Sequence, residues 1–479
     1  MRNILVFIIC LTLFFCLCVG SDITPYLRGP APYPPDWRWD YLFVNTYPKI
    51  WVPLLVSFLS LYVYKKIDFK KASWFAKNEK FVILIIIFLC VLFQFAVLFF
   101  NRAGMGVLVH RIINPDLNGY FSSSLDIEQV GNFFKNFNGL VLKLDQHAQG
   151  HPPFSILFFW IINKFFLSMP FLYEIIEKIN PARGDVFETW NKLLPNEKLG
   201  ALFSTILIPF LSALNIFPLY KISKKLYGQK VALRTAFLYL FIPGVVLFIP
   251  INDVFISLFP LFSFWLFITA IDKSSRILFI FAGLLFSVGL FFSLSLLPML
   301  LIFIVYGVSS MLRGAKKAAG SLLFFVLGLL VIPIALGFVG FNSIQVFMTI
   351  MSGLPENRHY YPWVLYNLYD FFIFLGIGVS VIYMYMLCRT FVNLKKNFKD
   401  IDPIFLGTFI MILMLDLSGS VRGEVGRIWI PFMPFFLLPV ANFITSKKYL
   451  NFSRNEFIFL SLAQVLLVLV INEYWVTLW

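Results

Sequence analysis

Charge is what this chain has least of. Asp, Glu, Lys and Arg make up only 13% of its 479 residues, about half the share in a soluble globular protein. With 60% apolar residues beside it, that scarcity excludes a water-soluble domain of this length. Cysteine is sparse too: Cys10, Cys16, Cys18, Cys90 and Cys388 all lie inside or at the edge of apolar segments. No two face each other across an aqueous loop, which excludes a disulfide framework and a cysteine zinc knuckle. No glycine-rich phosphate loop is present and no nucleotide-binding domain. No repeat of fixed period and no low-complexity tract interrupts the chain.

What fills the sequence instead is hydrocarbon. Phenylalanine alone contributes 60 residues. Runs of about twenty apolar residues, the length that crosses a bilayer core, recur from end to end. They cover about 50–64, 81–100, 200–220, 231–251, 254–271, 277–292, 293–312, 318–340, 364–388, 403–417, 428–444 and 456–472. A further run, 4–19, follows Met1-Arg2 and reads either as a signal peptide or as a first span. The expected fold is an all-α polytopic transmembrane bundle of about 13 spans, with interfacial helices in its outer loops. The whole of 1–479 is read as a single membrane-embedded unit.

The basic residues set the orientation. With the loop holding Lys65, Lys66, Lys70, Lys71, Lys77 and Lys80 placed inside, alternation puts 24 basic and six acidic residues on that side. The other side receives 15 basic and 18 acidic residues. A bias of this size places the lysine-rich loops in the cytoplasm. The N-terminus is then cytoplasmic and the C-terminus outside, in a multi-pass plasma-membrane protein. The formal charge of +15 is a membrane signature, facing anionic lipid, and implies no nucleic-acid partner. One segment breaks the parity. Residues 151–169 are apolar enough to span, but a single crossing there gives every later loop the wrong sign. The expectation is an interfacial or re-entrant helix.

The polar residues of chemical interest gather in the outer loops. Loop 21–49 carries Pro30, Pro32, Pro34 and Pro35, which forbid a helix, then Trp37, Trp39 and Tyr41, which read as an interfacial aromatic belt or as a sugar or lipid contact. Loop 101–153 is the longest between firm spans, and long loops in compact proteins are commonly functional. It holds Asn114-Pro115-Asp116-Leu117-Asn118-Gly119-Tyr120, an amphipathic stretch with Asp126 and Glu128, and His147 to Pro153. Asp116 fits an Asx-type turn as well as a functional carboxylate. His147 and His151 have the spacing of a helical metal pair, but no third ligand stands nearby, and Pro152 suits the first turn of a helix. Asn252-Asp253 lies between two spans, where an ionisable residue suggests function as readily as a short solvated hairpin. Loop 341–363 ends in Arg358-His359 before a span carrying Asn367 and Asp370. Loop 418–427 holds Arg422, Glu424 and Arg427, suited to forked phosphate binding or to neutralising one another.

In order, these residues resemble the membrane-embedded GT-C class of glycosyltransferases. The similarity is to the branch holding lipid A aminoarabinose transferases and protein O-mannosyltransferases. In that branch a long first outer loop carries an acidic residue, a tyrosine four residues on, a helix, and a Pro-Pro pair opening the next apolar helix. Here these are Asp116, Tyr120, the stretch 125–137 and His151-Pro152-Pro153. A later acidic residue follows a basic turn, matching Lys224-Lys225-Leu226-Tyr227-Gly228 and then Asp253. The chain departs in having Asp116-Leu117 where the family often has Asp-Glu, which keeps Asp126 as a rival, and in its insertion at about 170–199. The resemblance implies a polyprenyl-phosphate sugar donor, a lipid, glycan or protein acceptor, and inverting transfer with Asp116 as general base. Asp253 then orients the sugar or holds a divalent cation, and no other cofactor is implied. Arg422 and Arg427 meet the leaving phosphate, with Arg358 and His359 in reserve. Tyr120, Asp126, His147, His151 and Glu424 complete the substrate-binding set. A transporter or flippase for a lipid-linked sugar is the alternative, although the polar midplane path and inverted repeat such proteins use are not apparent.

Overall fold

The computed structural model describes residues 2–68, 72–179, 181, 186–314, 322–352, 358–393 and 401–477. They form an all-α bundle. No strand occurs among the described residues, only an isolated antiparallel bridge between Tyr41 and Trp475. Among the described residues seven helices are long and apolar enough to cross a membrane, or eight if one bent pair is a single span: Asn3–Gly20, Tyr47–Asp68, Lys77–Phe100, Pro195–Tyr227, Asp253–Lys273, Leu294–Leu312 and Arg454–Tyr474, with Phe154–Leu167 and Pro170–Glu177 as the bent pair. Shorter apolar helices pack among them, including Arg276–Phe292, Leu322–Gly337, Pro403–Ser418 and Ile430–Thr445. The first helix, Arg2–Gly20, lies along the last, Arg454–Tyr474, as a member of the bundle.

Helix ends follow local chemistry. Ser453 and Glu456 form a capping box that opens the last helix, so two free N–H groups are met reciprocally. The Asp402 carboxylate accepts from the N–H groups of Ile404 and Phe405. Two expected spans are not continuous. The run 364–388 breaks at Gly376, where φ is +103°, between Tyr360–Leu375 and Ile377–Asn393. The amide of Gln464 occupies the space a side chain at Gly376 would need and donates to the Leu375 carbonyl at 3.2 Å. The run 231–251 is also divided, into Gln229–Tyr239 and Pro243–Leu247, because Pro243 has no N–H to continue the first helix.

Polar contacts sort the loops to two ends, as the charge parity predicts. At one end Glu79 pairs with Lys221 and Lys224, each at 3.0 Å, Lys225 with Asp272 at 2.6 Å, and Arg454 with Asp68 at 3.0 Å. At the other, Asp36 meets His359, Arg358 meets Glu424, Lys198 meets Glu177, and Asn101 meets Asn472. The segment 151–169 makes its polar contacts to residues of the outer loops and helix ends. Helix Phe154–Leu167 turns through 87° into Pro170–Glu177. Ser155 at its start donates to the Phe292 carbonyl at 3.0 Å, while near its far end Asn163 reaches Ser124. A bend of this size between two apolar helices is the geometry of a broken span or of a re-entrant loop.

Helix Arg276–Phe292 crosses Leu322–Gly337 at close backbone approach. A methyl group on Gly283 would lie 2.0 Å from the Phe325 carbonyl oxygen, and one on Gly328 2.1 Å from that of Ile280. Small residues let helix backbones touch in a membrane, where dispersion replaces the hydrophobic effect as the driving force. Gly283→Ala or Gly328→Ala is therefore expected to destabilise the chain by about 1–3 kcal/mol, read as a lower thermal midpoint in detergent. Gly139→Ala, where a methyl group meets nothing within 4 Å, is the comparison and should not lower it.

Candidate active site

The first long loop folds into short helices held by a buried arginine. Helix Gly106–Ile113 buries Arg111 completely. Its guanidinium donates to the Leu247 carbonyl at 2.9 Å and, more closely, to those of Ile249 and Thr477. This ties the loop to the chain just before Asn252-Asp253 and to the C-terminal tail. Asn114 then turns the chain, its side-chain oxygen accepting from the Asp116 N–H at 2.9 Å, the Asx geometry its sequence suggests. Gly119, at φ +68°, releases the chain into helix Tyr120–Leu125. That helix is fastened by Ser122 and Ser123, whose hydroxyls both donate to Asp145.

The turn following Asp145 brings the two histidines inward. His147 hydrogen-bonds the Asp116 backbone. His151 lies edge-on to the Tyr120 ring, with centroids 5.2 Å apart, and its Nδ1 is 3.3 Å from the Phe292 carbonyl oxygen. Burial, reinforced by the nearby Arg427 charge, pushes the His147 imidazole down to about 4. Burial does the same to His151, also to about 4. Both rings are neutral near pH 7.

Arg427 is the centre on which these pieces converge. It sits in the short helix Val425–Ile428 and is itself buried. Its Nη2 is 3.1 Å from a Glu424 carboxylate oxygen, and the other oxygen of that carboxylate accepts from Arg358 at 2.9 Å. Burial opposes the charge on Glu424, yet Arg427 and Arg358 together hold its carboxyl below the usual range. The Arg427 charge also acts on His147, His151, Tyr120 and Asp253. Asp253, half-buried at the start of its helix, lies within that field without forming an ion pair among the described residues. Burial and the Asp253 charge together raise the Tyr120 phenol.

The structure thus brings together Asp253, Tyr120, His147, His151, Glu424 and Arg427, with Asp116 exposed at one remove through His147. It sets three other candidates outside this group. Arg422 donates to the Arg358 carbonyl at 2.7 Å and lies over the Tyr360 ring. His359 binds Asp36 through both its N–H and its ring nitrogen, at 3.1 and 2.9 Å. Asp126 is exposed at the end of helix Tyr120–Leu125. Among the described residues no group of three His, Cys, Asp or Glu side chains is arranged as a metal site. Sequence reasoning gave Arg111, Asp36 and Asp145 no role. The one visible signal was a charge inside the apolar run Val107 to Ile113, where an arginine needs a buried partner.

Residues 190–336 match the family model for dolichyl-phosphate-mannose-protein mannosyltransferase, a GT-C type family of membrane glycosyltransferases. At the level of that family, the chemistry is glycosyl transfer from a polyprenyl-phosphate sugar. The matched stretch includes the basic turn, where Gly228 has φ +93°, and Asp253. The first loop and the Arg427 turn lie outside it. No curated protein and no solved structure matches the chain.

The two neutral histidines make stability pH-dependent in a defined direction. Their folded pKa values lie below the ordinary 6.5, so the unfolded chain takes up protons first as pH falls. Their contribution is complete above 6.5 and is lost progressively toward 4. Between pH 7 and pH 5 the thermal midpoint should drop, and His147→Gln with His151→Gln should flatten that drop. An equal drop in the double variant would show that these rings do not carry it.

Proposed function

We propose that the chain transfers a sugar from a polyprenyl-phosphate donor to an acceptor hydroxyl on the extracytoplasmic side of the membrane, with inversion at the anomeric carbon. The observation that carries this reading is the convergence on Arg427. One buried guanidinium, an Asp253 without an ion pair among the described residues and two neutral histidines meet beneath the first long loop. All lie at the end of the bundle opposite the lysine-rich loops.

The chemistry follows from where charge moves. The acceptor oxygen attacks the anomeric carbon as its proton passes to a carboxylate. The bond from that carbon to the phosphate oxygen breaks, and the lipid phosphate leaves carrying the electron pair. Asp116 is the base in this reading. It is exposed to an incoming acceptor, and its backbone is held by His147. A general base in place contributes typically 10²–10⁴-fold. Arg427 meets the negative charge growing on the phosphate, with Arg358 and Arg422 supplying further positive charge from the adjoining turn. Such charge acts best where it is fixed in advance and shielded from water. Glu424 holds Arg427 and Arg358 apart at fixed distance. Asp253 and Tyr120 face the sugar, and the apolar bundle holds the isoprenoid tail. Inverting displacement places base and leaving group on opposite sides of the sugar ring, as Asp116 at the mouth and Arg427 beneath would be.

The test is a reconstituted assay with labelled polyprenyl-phosphate sugars, following label into the acceptor rather than its movement between leaflets. Asp116→Asn should lose transfer by at least ~10²-fold at unchanged thermal midpoint. Arg427→Ala should raise the KM for donor more than that for acceptor. Full transfer by Asp116→Asn together with loss in Asp253→Asn would reassign the base to Asp253. Movement of lipid-linked sugar without transfer would replace the enzyme by a flippase.

A further inference from the structure

Helix Tyr360–Leu375 presents Asn367 and Asp370, one helical turn apart, to the backbone of the Arg427 turn. Both are buried. Asn367 donates to the Val421 carbonyl at 2.9 Å, and its side-chain oxygen accepts from the Gly423 N–H at 3.0 Å. Asp370 accepts from the Gly426 N–H at 2.7 Å through one oxygen and from the Trp39 indole N–H at 2.8 Å through the other. The segment they grip is an unfavourable one. Gly419, Gly423 and Glu424 have φ of +61°, +99° and +58°, and a left-handed glutamate costs energy that its surroundings must supply. Gly426 has no room for a side chain, since a methyl group there would lie 2.2 Å from the Phe374 ring. The turn is therefore held through its N–H and carbonyl groups.

We propose that Asn367 and Asp370 are positioning residues for the donor phosphate site, acting through the backbone of 421–426 to aim Glu424 and Arg427. Asp370 also makes loop 21–49 part of that aim, because Trp39 shares its carboxylate. Trp39 packs between Phe248 and Phe374, at 5.5 and 5.2 Å, so the proline-rich loop 21–49 is braced against both. The inference rests on Arg427 as the phosphate ligand. It assigns a role to two polar residues of an apolar helix that touch no substrate themselves.

The bonding pattern supplies its own test. An asparagine at 370 keeps one acceptor oxygen but turns an NH₂ toward one of two N–H donors. Trp39→Phe removes one of those donors and lets the remaining amide oxygen serve Gly426. The readout is binding of farnesyl phosphate to the full chain in detergent, with farnesol as the uncharged comparison. Asp370→Asn should weaken farnesyl phosphate about tenfold, the effect expected of one hydrogen bond to a charged group, and leave farnesol within twofold. Trp39→Phe with Asp370→Asn should recover binding to within about threefold of the parent, and Asp370→Asn should add nothing on an Arg427→Ala background. Equal loss of farnesol, or no recovery in the double variant, overturns the positioning role. Failure of the parent to bind farnesyl phosphate, or unchanged binding in Arg427→Ala, overturns the phosphate reading itself. Where Asp370→Asn does not accumulate folded, Asn367→Asp is read instead. It keeps the Gly423 bond and loses the one to Val421, and it should show the same selective loss.

Discussion

The arrangement of the site depends on a charge buried where water does not reach. Arg111 has no carboxylate partner among its hydrogen bonds. Main-chain oxygens of Leu247, Ile249 and Thr477 receive its donors. Burying an ion costs several kcal/mol even after relaxation, so these three carbonyls are not free to drift. Thr477 lies in the tail that follows the last helix, Ile249 lies three residues before Asn252, and Arg111 itself lies five before Asp116. One guanidinium thus fixes the spacing between the two carboxylates of greatest interest. At the opposite end Arg234 does comparable work, donating to the Ile444 and Phe452 carbonyls at 3.1 and 2.7 Å.

The electrostatics of the site follow from that framework. Arg427 and Arg358 share a single glutamate, which leaves a positive excess of one charge between them. The surrounding histidines are kept neutral by burial, and Asp253 is near without closing a pair. Such a cluster is poised for an anion and is not self-satisfied. A fully neutralised Arg–Glu pair would have been only structural. The second arginine on the same carboxylate makes the difference.

The broad architecture was legible in the sequence because its signal is additive. Each apolar run is long, and the lysines accumulate on alternate loops. The same parity singled out residues 151–169 as irregular, and the structure places an 87° break at the end of helix Phe154–Leu167. The candidate cluster was half legible. His147, His151, Asp253 and Arg427 are polar residues at the ends of apolar runs, and polarity there is conspicuous. Which of them meet was not legible, since Arg422 and Arg427 carry the same charge five residues apart. Their separation is made by Gly423 and Glu424 turning through left-handed backbone, a conformation that the residue types alone do not dictate for a glutamate. Asn367 and Asp370 were visible as polar residues in a span, but apart from the Trp39 indole the partners that tie them to the turn are backbone groups, which carry no sequence signature.

The break at Pro243 and the candidate site adjoin one another, and a membrane gives a reason. Irregular backbone at bilayer depth survives only where protein or a polar cavity satisfies its N–H and C=O groups. The interruption at Pro243, the entry to Asp253 and the 419–427 turn all leave backbone groups outside any helix. Arg111 takes up the carbonyls of Leu247 and Ile249 on the entry to Asp253, and Asn367 and Asp370 take up backbone groups of the 419–427 turn. The polar residues that look superfluous in an apolar bundle are therefore what permits non-helical chain beneath the first long loop. Non-helical chain is in turn what lets Glu424 and Arg427, on one turn, pair with each other within the electrostatic reach of Asp253 on a separate segment. A straight helix through the entry to Asp253 or through the 419–427 turn would carry its charged side chains to a different face.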